Sequence, residues 1–318
     1  MKVSPQSTIF HEMDWLRIME KYTNTKLILL VGLDVDEIFA AVPFFYEEKY
    51  GGLLRKLTSP PYPTGVPYLG FVFPYSHEYK QSKWEDRLVN FQKELERYIQ
   101  SRMKINSIFI STSPDLVDIR PLLWSSYNAV PRYTYIGDIR KANSVWKRFN
   151  KAIRRNITKA EKSAAVVEEG TERDYDFIME CLEDRYGEQK MRFDLSKDYL
   201  KEVYHRFHPE NLRVFLCKWN GECIGGQVVL INKNKFLFWL GGVRSKREEF
   251  YPNPFLFWKI MEWGRGEGLE YLDLVGANTP IISNFKSQFG FDLKVYFWIQ
   301  KSTLRHKLAL NALRILKR

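Results

Sequence analysis

Apolar and polar positions follow two rhythms along this chain, and the same succession of rhythms occurs twice. A helical spacing of Trp15, Ile18, Met19 and Tyr22 opens it. Short apolar runs at 27–33, 37–47 and 53–58 follow, read as strands joined across Asp34–Asp36 and Gly51-Gly52. Pro60, Pro61, Pro63 and Pro67 make 59–67 a loop, because proline cannot donate to a ladder. Ser82 and Glu85 predict a capping box for a helix carrying Trp84, Leu88, Phe91, Leu95, Tyr98 and Met103. Strands are expected at 105–111 and 127–136. One long helix is expected over 142–164, with Trp146, Phe149, Ile153, Ile157, Ala160 and Ala164 on one face.

The second half repeats this grammar. Helices are predicted at 174–186 and 197–207, then strands at 213–219 and 223–231 around the hairpin pair Asn220-Gly221, then a strand at 236–241. Pro254 opens a helix that stops at Gly266 and Gly268. A strand at 271–274, a short helix at 282–289 closed by Gly290 and a last strand at 295–299 complete it. Residues 26–58 and 213–243 both read strand, turn, strand, turn, strand, each followed by a helix and another strand. The pattern implies a duplicated α/β (α+β) unit, each copy a mixed, mostly antiparallel sheet flanked by helices. The expected domains are 1–140 and 141–300, with a basic amphipathic tail at 301–318.

With 318 residues, two domains of about 150 each fit. The balance of 49 Lys+Arg against 38 Asp+Glu, a net +11, favours anionic partners. Three cysteines and five histidines lack zinc-site spacing, and no GxGxxG, Walker or GxSxG motif is present, so neither a metal nor a tightly bound cofactor is expected. No apolar run is long enough to span a bilayer and the N-terminus lacks a signal-peptide core. The expectation is a cytoplasmic, reduced protein.

Three places carry candidate chemistry. Lys147, Lys151, Arg155, Lys159 and Lys162 recur at spacings of four, four, four and three, with Arg154 beside them, and Glu161 is the only acid between 140 and 162. This stripe reads either as a solvated face or as a surface for phosphate or nucleic acid. The strand at 271–274, ending at Gly276, brings Asp273 near Lys286, which lies between Phe285 and Phe289; ligand sites in α/β sheets gather at such strand ends. In the tail, Leu304, Leu308, Ala312, Ile315 and Leu316 form an apolar stripe among basic residues, suited to the protein body or to an anionic membrane surface.

Arg154-Arg155-Asn156-Ile157-Thr158-Lys159-Ala160-Glu161-Lys162, the strand Tyr271-Leu272-Asp273-Leu274-Val275-Gly276, and Asn284-Phe285-Lys286 followed by Phe289-Gly290 resemble, in order and spacing, signatures of the Fem-type peptidyltransferases. The resemblance runs up to about residue 301. It implies two tandem GNAT-like domains and acyl transfer to an amine, with aminoacyl-tRNA as donor and a phosphorylated or lipid-linked amine of a peptidoglycan-type or other cell-envelope precursor as acceptor. It assigns Lys286 to oxyanion stabilisation and Phe285 to shaping the pocket. Asp273 takes a proton or orients the amine, or is structural. Arg154, Arg155, Lys151 and Lys159 are the candidate phosphate or tRNA contacts, and Tyr251 and Asn284 complete the substrate-binding set. Two alternatives stand beside this: an acyl-CoA-dependent N-acyltransferase, and a non-catalytic GNAT-like module that binds RNA or a membrane, the latter by peripheral contact through 301–318.

Overall fold

A computed structural model describes residues 4–34, 37–74, 79–188, 193–244, 249–304 and 306. The chain forms two compact units, residues 1–132 with 295–318, and residues 133–294.

In the first unit, α1 (Met13–Thr23) leads into β1 (Lys26–Asp34), β2 (Glu37–Lys49) and β3 (Leu54–Ser59), an antiparallel meander. Helix α2 (Gln81–Tyr98) then returns the chain to β4 (Ser107–Ser111), which pairs parallel with β3, and the short α3 (Arg120–Trp124) follows. The chain enters the second unit within β5 (Asn128–Asp138). There α4 (Ala142–Arg148), α5 (Lys151–Lys162), the edge strand β6 (Val166–Glu169), α6 (Asp174–Glu188) and α7 (Lys197–Phe207) precede a second meander: β7 (Leu212–Trp219), β8 (Glu222–Asn232) and β9 (Lys235–Val243). Helix α8 (Pro252–Gly266) leads to β10 (Tyr271–Asp273), parallel to β9. Helix α9 (Pro280–Ser287) precedes β11 (Asp292–Ser302), which carries the chain back and pairs antiparallel with β4. The strand order is β1-β2-β3-β4-β11 in the first unit and β5-β10-β9-β8-β7-β6 in the second. Meander, helix, parallel strand therefore occurs once in each unit, the duplication that the hydrophobic pattern implies. Asn220 and Gly221 take φ of 51° and 80°, as a primed hairpin turn requires.

Three sequence expectations change. The capping box is absent: α2 starts with Lys80 as its cap residue, and Glu85 instead accepts from the Gln81 amide at 2.7 Å. The helix expected over 142–164 is two helices. Asn150 takes an extended ψ of 148°, its side chain accepts the Ala152 N–H at 3.0 Å, and its own N–H donates to the Gln288 carbonyl at 2.8 Å. A side-chain cap inside an apolar periodicity thus stops one helix and starts another, and Lys147 falls on a different helix from Lys151, Arg155 and Lys159. In the tail, Lys301 and Ser302 belong to β11, and Lys301 pairs with Glu96 at 2.6 Å. Residue 305 and residues 307–318, the bulk of that expected helix, lie outside the described residues. No helix among the described residues is long and apolar enough to cross a membrane.

The core of the second unit is aromatic. Phe289 is fully buried, with ring contacts to Phe149 at 5.3 Å, Phe285 at 5.4 Å and Phe257 at 5.6 Å. Gly290, next along the chain, has φ of +67°, and a Cβ there would lie 2.5 Å from the Arg148 carbonyl oxygen. The end of α9 thus abuts the end of α4, backbone against backbone. Gly290→Ala must break this contact as well as occupy left-handed space, so we expect a loss of at least about 2 kcal/mol in unfolding free energy. Urea denaturation followed by tryptophan fluorescence measures it; an unchanged midpoint would show that the contact yields without cost.

Candidate active site

The site begins where two parallel strands part. Lys235, Phe236 and Leu237 of β9 pair with Tyr271, Leu272 and Asp273 of β10. Beyond that register β9 runs on to Val243, while the chain after Asp273 stays with β5: the Leu274 N–H donates to Tyr135 O at 2.9 Å and the Ala277 N–H to Tyr133 O at 2.7 Å. The two strands therefore part at the carboxyl end of β10, the kind of strand end where α/β sheets hold ligands.

The turn that forms this opening is strained. Val275 has φ of +51° and Gly276 +63°. For a β-branched residue the left-handed region is unfavourable by about 1–3 kcal/mol, so the surroundings must hold it there. Two side chains do so. Asp273 accepts the Val275 N–H at 2.8 Å and the Thr134 hydroxyl at 2.6 Å, both on Oδ1. Lys286 Nζ donates to the carbonyls of Leu274 at 2.6 Å, Gly276 at 2.9 Å and Val275. An ammonium has three hydrogens, and three successive carbonyls engage them all. Burial pushes the Lys286 ammonium down to about 8; the Asp273 carboxylate opposes this, and the Arg185 guanidinium adds to it. Burial raises the Asp273 carboxyl against the hydrogen bonds from Thr134 and Val275 and the nearby Lys286 charge. Lys286 thus sits in the confined position expected of it, with its ammonium directed at the turn. Asp273 is built into the same turn as an acceptor.

Phe285 is half-buried and meets Tyr251 edge-on at 6.0 Å and Phe257 at 5.8 Å. Tyr251 caps α8; its N–H donates to Asn156 Oδ1 at 3.2 Å and its hydroxyl accepts from Asn253 at 3.1 Å. Through Asn156, helix α5 is tied to the same aromatic wall. Arg154 is half-buried on α5, whereas Lys151, Arg155 and Lys159 are exposed; among the described residues none of the four makes an ion pair. Asn284 is exposed, and its carbonyl accepts from Ser287 and Gln288 within α9. The structure thus brings together Asp273, Phe285, Lys286 and Tyr251, sets the α5 cations on an adjoining outward face, and leaves Asn284 on the outer side. Thr134 and Asn156 were missed in the sequence reading. Asp273 two residues before Val275 is an Asx-turn signal that could have been read; Thr134 and Asn156 act across the fold and carry no local signal.

The cysteines offer no nucleophile. Burial pushes the Cys217 thiol up to about 12 and Cys181 to about 11, and it raises Cys223 as well. Among the described residues no cluster of His, Cys, Asp or Glu could hold a metal ion.

Residues 147–287 match the acetyltransferase (GNAT) domain family. No curated protein matches the chain in sequence. Among solved structures, FemX superposes with a TM-score of 0.69 at 14% identity, covering 94% of each chain. The C-terminal domain of an Agrobacterium fabrum protein assigned as a lysylphosphatidylglycerol synthetase gives 0.53 at 13% identity, over 95% of this chain and 91% of that one. A tandem GNAT protein from the clavulanic acid biosynthesis pathway gives 0.50 at 10% identity, over 91% and 94%. The chain has the Fem-type fold, with GNAT-like units in tandem, and its second unit carries a GNAT-type acyltransferase domain.

The state of Lys286 is directly measurable. Its proton leaves the folded chain near pH 8 and the unfolded chain near 10.5. Between those values the unfolded chain binds more protons, so this group makes stability rise as pH climbs through the window. We expect one ε-13C-lysine NMR resonance to titrate near 8, and Lys286→Met to remove both the resonance and the stability slope. A Lys286 resonance that titrates near 10.5 would contradict the burial of the ammonium.

Proposed function

We propose that this protein is an N-acyltransferase that moves an aminoacyl group from aminoacyl-tRNA to an amine on a cell-envelope precursor. The observation that carries the reading is the buried Lys286 charge at the lip of the parted strands, beside a helix whose Lys151, Arg154, Arg155 and Lys159 make no ion pair among the described residues. The first places positive charge where an acyl oxygen would gain negative charge; the second supplies a surface for phosphates. The likeness to FemX and to a protein assigned as a lysylphosphatidylglycerol synthetase supports the fold and the acyltransferase class.

The reaction balances without a covalent enzyme intermediate. The neutral amine attacks the ester carbonyl, an amide bond forms, the bond to the ribose oxygen breaks, and the amine proton passes to that departing oxygen. The chain's contribution is placement and electrostatics. Lys286 exchanges one of its three carbonyl partners for the developing oxyanion, Asp273 and Thr134 keep the turn in shape, Phe285 and Tyr251 wall the acyl pocket, and Arg154, Arg155, Lys151 and Lys159 hold the donor's phosphates. Acyl-CoA as donor is the second reading, because residues 147–287 match an acetyltransferase (GNAT) domain family.

The deciding experiment is mass spectrometry of nucleotide- and lipid-linked precursors from cells with and without the protein. A gain of one amino-acid residue that requires aminoacyl-tRNA supports the proposal; a gain of a simple acyl group that requires acyl-CoA replaces it with the second reading. In single-turnover assays Lys286→Met is expected to slow acyl transfer by about a hundredfold or more while donor binding persists, and an unchanged chemical rate would remove Lys286 from the mechanism. Arg154→Ala with Arg155→Ala should weaken tRNA binding and flatten the slope of log affinity against log salt by about one to two. Equal slopes for variant and parent would return α5 to a solvated face.

A further inference from the structure

The first unit contains a groove that the proposed reaction does not use. It has a volume of about 560 Å³ and runs between residues 29–34 of β1 and one face of α2, formed by Arg87, Asn90, Phe91, Glu94, Leu95 and Tyr98. Six consecutive strand residues line it, so its wall is the edge of the sheet itself. From 29 to 34 an extended strand covers about 17 Å. From 87 to 98 a helix covers about 16 Å. The two walls match in length and leave room for about five residues of extended chain.

The edge is open. β1 ends the strand order of its unit. The Leu27 N–H donates to Glu20 Oε1 at 2.8 Å, so odd-numbered N–H groups of β1 point away from β2, and those of Leu29 and Val31 follow by the two-residue period. Proteins blunt such edges with lysine, proline or bulges. Residues 27–33 contain no charge and no proline, and the one register shift, at Gly32/Leu33, faces β2. Leu29, Val31 and Leu33 are 46%, 44% and 67% exposed on one face of the strand, ready to flank apolar side chains of a neighbouring strand. On the other face lie Phe91 and Leu95.

Charge selects the occupant. Arg87 is committed to Asp34 and packed against the rings of Phe39 and Tyr79 at 4.7 and 4.4 Å. This pairing places the start of α2 at the Asp34 end, so Glu94 lies toward the Leu29 end. Among the described residues Glu94 bridges only Arg97, at 2.9 Å, both largely exposed, and such a pair contributes little. We propose that this groove binds an extended peptide that adds to β1 as an antiparallel strand, with apolar side chains in its middle and a basic residue at its carboxyl end facing Glu94. Main-chain hydrogen bonds to Leu29 and Val31 give affinity, and Glu94 gives sign.

The test uses acetyl-Thr-Val-Val-Val-Lys-amide, its counterpart ending in Glu, and an N-methylated version that keeps the side chains and removes the backbone donors. With the Lys peptide, hydrogen exchange at the Leu29 and Val31 amides should slow at least tenfold, and the N-methylated peptide should not compete. Val31→Pro removes an outward N–H and no ladder bond, and should weaken binding tenfold or more; Glu94→Lys, at an exposed position, should reverse the preference between the Lys and Glu peptides and serves if the proline variant does not fold. Equal binding of the N-methylated peptide, no protection at Leu29 and Val31, or no change of preference in Glu94→Lys would overturn the proposal. Sedimentation showing a dimer that Val31→Pro dissolves would also overturn it, by making the occupant a second copy of this chain.

Discussion

A single ammonium holds the carbonyls of three consecutive residues, and the second unit is organised around that grip. Lys286 lies on α9, and its acceptors lie where β10 ends, so the contact fixes a helix to the strand that precedes it. Helix α9 then passes the constraint on. Phe289 seats in the aromatic core, Gly290 meets the backbone of α4, and the Gln288 carbonyl receives the N–H of Asn150, where α5 begins. One short helix thereby sets the end of β10, the break between α4 and α5, and the direction of the basic face. Asp273, Phe285, Lys286, Phe289 and Gly290, which stand out as motif residues in the sequence, each have a packing reason to be what they are.

The duplication gives both units the same skeleton, a meander, a helix and a parallel strand, and each uses it differently. In the second unit β9 outruns β10 and the two strands part. In the first, the distinctive feature lies at the other end of the meander, where the outer edge of β1 beside α2 has no strand partner among the described residues. Equal topology thus supports unequal surfaces, because a sheet has several places where backbone groups can be left without a strand partner.

Much of this was legible in the sequence because it rests on local rules. The Asn220-Gly221 turn, α7, and the glycine end of α8 follow from turn chemistry and apolar period alone. The break at Asn150 was not legible, because the apolar spacing of Trp146, Ile153 and Ile157 continues through it; what decides it is a hydrogen bond to Gln288, 138 residues away in sequence. The site divides the same way. Lys286 and Phe285 stand out by motif, whereas the three carbonyls that receive the ammonium and the Thr134 hydroxyl that supports Asp273 are brought together only by the fold. The α5 cations were legible as a stripe, yet its extension to Lys147 failed for the same reason as the long helix.

Val275 gives these contacts a further meaning. A residue that resists its own backbone angle is a compressed spring, and Asp273 and Lys286 are its two catches. Glycine at 275 would remove the compression and make both catches dispensable to the turn. With valine in place, the turn needs the Asp273 carboxylate on its N–H side and the Lys286 ammonium on its carbonyl side to stay where it is. In the proposed reaction, an oxyanion that takes one of the Lys286 hydrogens frees one carbonyl and leaves more of the spring's load on the Asp273 catch.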